Sequence, residues 1–344
     1  MTASVEAIDP AFLALGLAEE EIGARNLRRT MQRVGWAGPP ATFLKSVTDA
    51  YCQAQRRLKV TQPRLARLAH NVFTDGLAQA AKHIPTGCRV LVLGCGEGFA
   101  GVNSSAAAQL VKAAIDGSKI ASLQTLDLAI RDLYSPPREL PIDDHFNLVV
   151  TNSVLHFIAP LGAVVSRISS WLTEDGLYLM AHEPNARFWS NHVLREEGAA
   201  ILAEWTDLCK RQQLLGPANY WKKLKRLLAG DTPSIEKLAN EYLSASGSVT
   251  SSLTGQELAR IVDPHRPCGF EDAFRIGLNG LDSINLAALG LQMSPLWIRS
   301  YNHLGNTDCT DLPAKWKARY DELENLYPLD GAAWTVLWRA TRAA

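Results

Sequence analysis

A glycine-rich turn directly after an apolar segment has the clearest chemical meaning in this sequence. The apolar residues Val90–Leu93 are typical of a buried strand. The turn consists of Gly94, Cys95, Gly96, Glu97 and Gly98. Glycines at this spacing let the backbone approach a ligand closely, because no Cβ intervenes. Glu97 would repel a pyrophosphate but could help to hold a cationic amino-acid group. The turn therefore favours a cationic small molecule over a dinucleotide, whose fingerprint is G-x-G-x-x-G.

Two groups of polar side chains follow later apolar segments. The first group is Asn152, Ser153 and His156, and the second is His182, Glu183 and Asn185. Ligands of open α/β sheets bind outside the carboxyl ends of the strands, which is where both groups are expected. These residues are therefore candidates for catalysis or ligand binding.

Each catalytic candidate also has a structural interpretation. Asn152 could hydrogen-bond a nucleophilic amine or hydroxyl, or it could cap the next helix. His156 has an ordinary pKa near 6.5, which suits a general base, but it could equally be structural. Glu183 could orient an amine or act as a base, or it could end a strand in a salt bridge. These alternatives remain open at the level of the sequence.

Three segments carry a family resemblance. Val90–Gly98 resembles motif I of the class I S-adenosylmethionine (SAM) methyltransferases. Leu140–Ile158 resembles the fourth-strand segment of that family, with Asn147 where an aspartate is usual, and Leu172–Asn185 resembles the fifth-strand unit. The resemblance implies an α/β fold with a Rossmann-like sheet. It also implies that the glycine turn contacts the amino-acid and ribose parts of SAM, and that the Asn152–Ser153 loop faces the transferred methyl.

The resemblance places an acidic ribose ligand at the end of the second strand. Ala121–Leu126 is predicted to be that strand, and it ends at Asp127. A carboxylate can accept both ribose hydroxyls, so Asp127 is the expected ligand. Asp132 is expected either to face the adenine amino group or to be an ordinary loop residue, and it binds the ribose if this strand register is wrong.

The implied activity is SAM-dependent methyl transfer to a small metabolite in specialised metabolism, with SAM as co-substrate. A loose resemblance to azetidine-2-carboxylate-forming SAM cyclases suggests an alternative, in which SAM is the sole substrate. There the α-amine of SAM attacks its own Cγ and releases methylthioadenosine. A third interpretation is a non-catalytic SAM-fold binding protein. The motifs specify neither the acceptor nor the oligomeric state.

Composition limits the classes of partner. Lys+Arg and Asp+Glu number 35 each, so no net charge attracts nucleic acid or an anionic membrane. Six scattered cysteines without a C-x-x-C pair indicate reduced thiols in a cytoplasm. The His303, Asp308 and Cys309 group and the His265 and Cys268 pair lack zinc-ligand spacing, so no metal is expected. The sequence predicts a cytoplasmic enzyme that acts on a small molecule.

Helical periodicity and turn signals divide the chain into four parts. We expect a helical N-terminal extension or lid (1–85), the Rossmann-like core (86–187), a helical cap insertion (188–253) and a C-terminal part of the core (254–344). The extension could cover the SAM pocket or pack against the sheet. Thr254 and Glu257 have the spacing of a capping box at a helix start. Trp334–Ala340 is predicted to be an antiparallel edge strand that closes the sheet.

Overall fold

The computed structural model describes residues 27–58, 63–94, 104–127, 145–155, 168–184, 188, 191–215, 234–247, 249–262, 293–301, 314–331 and 333–340. Their strands are β1 (Cys88–Gly94), β2 (Ile120–Asp127), β3 (Phe146–Asn152), β4 (Leu172–Pro184), β5 (Met293–Tyr301) and β6 (Ala333–Ala340). Their helices are α1 (Pro40–Leu58), α2 (Pro63–Ala80), α3 (Ser104–Ala114), α4 (His192–Leu215), α5 (Ile235–Ala245), α6 (Gly255–Val262) and α7 (Ala314–Leu326). Residues 27–33 are also helical.

The six strands form one mixed sheet in the order β2-β1-β3-β4-β6-β5. The pairs β1–β2, β1–β3 and β3–β4 are parallel, whereas β6 runs antiparallel to both β4 and β5. Parallel neighbours need crossover connections, which place helices on the sheet faces. The sheet and its flanking helices confirm the predicted Rossmann-like α/β fold.

The position of the closing strand differs from the sequence prediction. Strand β6 is not an edge strand, because it lies between β4 and β5. Residues 333–338 are buried, which suits an interior strand with covered faces. The edge strand on this side of the sheet is β5, which the sequence pattern did not predict. Pro295 lies within β5, and an edge strand tolerates proline because one side of its backbone needs no ladder partner.

Alternating residues of the sheet build two separate cores. On one face, Tyr178 and Met180 of β4 pack in a cluster with side chains of α1, α5 and α6. On the other face, Leu177 and Leu179 pack in a cluster with α2 and α3. The described helices of the predicted N-terminal extension therefore pack on the sheet, with α1 and α2 on opposite faces.

A third, smaller cluster joins α4 to α7. Leu194 and Ile201 of α4 pack with Tyr320 and Leu323 of α7. An ion pair between Arg319 and Glu197 links the same helices. The helix pair thus has its own apolar contact, outside the two cores of the sheet. The helices among the described residues are all too short or too polar to span a lipid bilayer.

The start of α6 has the predicted capping box. The Thr254 N–H donates to Glu257 Oε2 (2.8 Å), and the Glu257 N–H donates to Thr254 Oγ1 (3.2 Å). Arg33 Nε also donates to Glu257 Oε1 (3.0 Å). Glu257 therefore stabilises the helix start and ties it to the N-terminal helical segment.

We predict that Glu257 contributes stability that depends on pH. Partial burial raises the pKa of Glu257, but hydrogen bonds from the Thr254 N–H, the Arg33 guanidinium and the Thr254 hydroxyl together hold it below the ordinary 4.5. A lowered pKa stabilises the fold above the ordinary value, and this contribution is lost as the pH falls through the lowered one. Glu257→Gln should therefore cost about 1 kcal/mol of unfolding free energy at neutral pH, and this deficit should shrink below pH 4.5.

Denaturant titrations of the wild type and the variant at several pH values measure this difference. Asp49→Asn is the control, because Asp49 pairs with Lys45 on an exposed surface and should contribute little at any pH. A stability difference for Glu257→Gln that does not change with pH would contradict the prediction.

Candidate active site

The candidate residues converge on one edge of the sheet. Strands β1 to β4 are parallel, so their carboxyl ends share an edge. There, Gly94 at the end of β1 lies opposite Asp127 at the end of β2. Asn152 at the end of β3 lies opposite Ala181 of β4. The second strand ends at Asp127, as the sequence predicted.

Some predicted site residues lie outside the described part of the chain. These are Cys95, Gly96, Glu97, Gly98, Asp132, His156 and Asn185. Of Asp127, the backbone is described but the side chain is not. The structure describes the side chains of the predicted site residues Asn152, Ser153, His182 and Glu183, and it describes Gly94.

Asn152 has an unsatisfied acceptor at this edge. Its Oδ1 atom is buried and has no hydrogen-bond partner among the described residues. A buried carbonyl oxygen without a donor costs about 1–3 kcal/mol, so such an atom calls for a partner. A ligand with an ammonium, amine or hydroxyl group could supply the missing donor. The amide thus fits a molecule bound at the carboxyl edge of the sheet.

A β-bulge interrupts β4 beside Asn152. Met180 pairs with Val336 of β6, whereas Glu183 pairs with Trp334. Two residues of β4, Ala181 and His182, therefore lie opposite the single residue Thr335. The His182 N–H donates to Thr335 Oγ1 (3.3 Å). His182 has a left-handed backbone with φ of 55°.

The bulge decides which face of the sheet receives Glu183. Without an extra residue, alternation would place Glu183 on the face of Leu179 and Ala181, toward α2. With the bulge, it lies opposite Trp334, whose side chain belongs to the core cluster on the other face. That cluster also contains Val154 and Leu155, which follow β3.

Glu183 is fully buried and bonds to the backbone after β3. Its Oε1 accepts hydrogen bonds from the N–H groups of Val154 (2.8 Å) and Leu155 (2.9 Å). Residue exposure of Glu183 is 0%. The carboxylate thus connects the end of β4 to the segment that carries Asn152 and Ser153.

Ser153 has the second left-handed backbone at this edge. Its φ is 54°, close to that of His182. The Ser153 N–H donates to Ala181 O (2.8 Å), and its Oγ donates to His182 O (3.4 Å). Left-handed conformations are costly for residues with a Cβ, and they cluster at functional sites. The adjacent ends of β3 and β4 therefore hold two strained residues together.

A buried polar pair lies on the β3–β4 contact below this edge. The hydroxyls of Thr151 and Tyr178 are 2.8 Å apart. Burial raises the pKa of Tyr178, so its phenol stays protonated. Tyr178 is fully buried. Within the described residues there is no group of three or more side chains that could hold a metal ion.

The left-handed backbone at His182 leads to a stability prediction. Glycine and asparagine tolerate this conformation, whereas a β-branched side chain does not. His182→Val should therefore be less stable than His182→Asn and His182→Gly by about 1–2 kcal/mol.

Chemical denaturation of the three variants measures the difference. All three lack the imidazole, so the comparison isolates the backbone conformation. Equal stability of the valine and asparagine variants would show that His182 does not require a left-handed backbone.

The sequence matches one family model, which is described as a methyltransferase domain, over residues 64–231. The matched range covers just under half of the chain and includes β1 to β4. Comparison with curated protein sequences gives no significant match.

Among solved structures, the chain is similar to the YcgJ protein from Bacillus subtilis, with 12% identity over 78% of this chain and 99% of that one (TM-score 0.32). It is similar to a cyclopropane-fatty-acyl-phospholipid synthase-like protein from Lactobacillus casei, with 14% identity over 80% and 93% (TM-score 0.30). A third similar structure is the plantazolicin methyltransferase BpumL in complex with SAH, with 9% identity over 88% and 98% (TM-score 0.31). These TM-scores are too low to support an argument about function.

Proposed function

We propose that this chain is a SAM-dependent methyltransferase of the class I superfamily, and that it methylates a small metabolite of specialised metabolism. The match of residues 64–231 to a methyltransferase-domain model supports the proposal. The observation that carries this proposal is the unsatisfied Asn152 Oδ1 at the carboxyl edge of the sheet. A buried acceptor at that position suits a ligand that brings its own hydrogen-bond donor.

The same edge offers positions for each part of SAM. We propose that the turn that begins at Gly94 holds the amino-acid part, since glycines permit close backbone approach. Asp127 lies directly opposite Gly94, which supports its proposed role as ligand of the two ribose hydroxyls. Asn152 and Ser153 are proposed to face the methionine end.

A bound SAM supplies an electrophilic methyl carbon on a sulfonium ion. The residues of the chain then have to bring the acceptor into line, exclude water and accept a proton where the acceptor loses one. We propose Asn152 as the group that orients the nucleophile. His156 remains the proposed base, because imidazole titrates in the physiological range.

The position of the helix pair α4 and α7 supports a role in binding the methyl acceptor. Helix α4 follows β4, and α7 precedes β6. Pro184 near the end of β4 pairs with Ala333 at the start of β6, so both helices join the sheet at its carboxyl edge. Asn191 Nδ2 also donates to Asp330 Oδ2 (3.0 Å), which links the two connections. We propose that this pair encloses the acceptor.

We predict that Asp127→Ala weakens SAM binding by about 1.5–3 kcal/mol, the range for hydrogen bonds to a charged group. Isothermal titration calorimetry with SAM measures the loss. Asp132→Ala is the comparison variant and should bind SAM more tightly than Asp127→Ala, because Asp132 is expected to contact the adenine amino group at most. The reverse pattern, normal binding by the Asp127 variant and failure of the Asp132 variant, would move the ribose ligand to Asp132.

The reaction type is tested by incubation with SAM alone. A methyltransferase should turn over negligibly, because no acceptor is present to attack the methyl group. S-adenosylhomocysteine (SAH) should appear only after the correct metabolite is added, and mass spectrometry identifies it. Sustained release of methylthioadenosine from SAM alone would contradict methyl transfer and indicate intramolecular cyclisation.

A further inference from the structure

We propose that Glu183 is a positioning residue, whose carboxylate holds the segment after β3 in the geometry that SAM binding requires. This inference rests on the proposed function, because it assigns Asn152 and Ser153 to the SAM site. It differs from the sequence-based expectation that Glu183 orients an amine or acts as a base.

The hydrogen bonds of Glu183 support this role. One carboxylate oxygen accepts from two successive backbone N–H groups, those of Val154 and Leu155, at 2.8 and 2.9 Å. Bonds from N–H groups to an ionised carboxylate are stronger than bonds between neutral groups. All three residues have 0% exposure, so these hydrogen bonds are made away from bulk solvent. Removal of the carboxylate would take this acceptor away from two buried donors, which is costly.

The segment that Glu183 holds needs such support. It begins at Asn152, whose buried oxygen is free for a ligand, and it passes through the left-handed Ser153. A strained residue persists only where its surroundings over-determine its conformation. The Ser153 bonds to Ala181 O and His182 O fix one side of the segment, and Glu183 fixes the next two residues.

The bulge in β4 makes this contact possible. Because Ala181 and His182 together oppose Thr335, Glu183 reaches the face on which Val154 and Leu155 lie. The strained backbone of His182 is therefore tied to the placement of the carboxylate. The extra residue of the bulge thus places the buried Glu183 carboxylate within hydrogen-bonding distance of the backbone that follows Asn152.

A glutamine at position 183 separates this role from that of a base. Its amide oxygen can still accept both N–H groups, but it cannot take up a proton at neutral pH. Glu183→Asp has the opposite properties, because it keeps the charge and is one methylene too short to reach both donors. Glu183→Ala removes the acceptor altogether.

A matched control exists on the same strand. Asn147 Oδ1 accepts a hydrogen bond from the Arg89 N–H (2.9 Å) near the amino end of β3. Asn147→Ala thus removes the same type of bond, from a side-chain oxygen to a backbone N–H, at the edge of the sheet away from the proposed site.

The experiment combines two measurements on the full chain. Calorimetry with SAH gives the affinity of the site, and amide hydrogen exchange reports the protection of Val154 and Leu155. We expect Glu183→Ala and Glu183→Asp to bind SAH about tenfold more weakly or worse, with faster exchange at these two amides. Glu183→Gln should bind within about threefold of the wild type, and Asn147→Ala should lose stability but keep its SAH affinity.

Two results of the SAH affinity measurement would overturn the proposal. One is normal SAH affinity in the alanine or aspartate variant, and the other is a glutamine variant that binds as weakly as the alanine variant. If Glu183→Ala does not fold, the glutamine and aspartate pair decides alone. Failure of the wild type to bind SAH would instead refute the proposed function. In that case amide exchange alone tests the positioning role. Exchange at Val154 and Leu155 that is as slow in Glu183→Ala as in the wild type would refute that role.

Discussion

The buried carboxylate of Glu183 is the contact on which the described part of the site depends. It bonds to two backbone N–H groups beyond the end of β3, and a bulge in its own strand directly precedes it. Without this contact, two buried donors would lose this acceptor, and the strained turn at Ser153 would lose its support. The geometry at the carboxyl edge is therefore a property of two neighbouring strands together, and neither strand end defines it alone.

The fold supplies the rigid frame for this contact. Helices α1, α5 and α6 cover the face that contains Glu183, Val154 and Leu155, and α2 and α3 cover the other face. With both faces covered, the ends of the parallel strands remain as the place where a ligand can approach the backbone. The match to a methyltransferase-domain model and the unsatisfied oxygen of Asn152 support the proposed SAM site at that edge.

Local signals in the sequence predicted the elements that follow from local chemistry. The apolar run before the glycine turn predicts β1, and the segment that ends at Asp127 predicts β2. The spacing of Thr254 and Glu257 predicts the capping box of α6. Strand β5 was missed because Pro295 interrupts its pattern. The interior place of β6 was missed because strand order depends on contacts across the chain. The bulge gave no signal, since His182 is not a glycine and the partners of Glu183 are 28 and 29 residues away.

A crystal structure of the protein with SAH tests the central claim most directly. The account predicts SAH at the carboxyl edge of β1 to β3, with a donor of the ligand within hydrogen-bonding distance of Asn152 Oδ1. It also predicts that Glu183 Oε1 keeps its bonds to the N–H groups of Val154 and Leu155. SAH bound at another edge or face of the sheet, or a Glu183 carboxylate that has left the backbone to contact the ligand, would contradict the account.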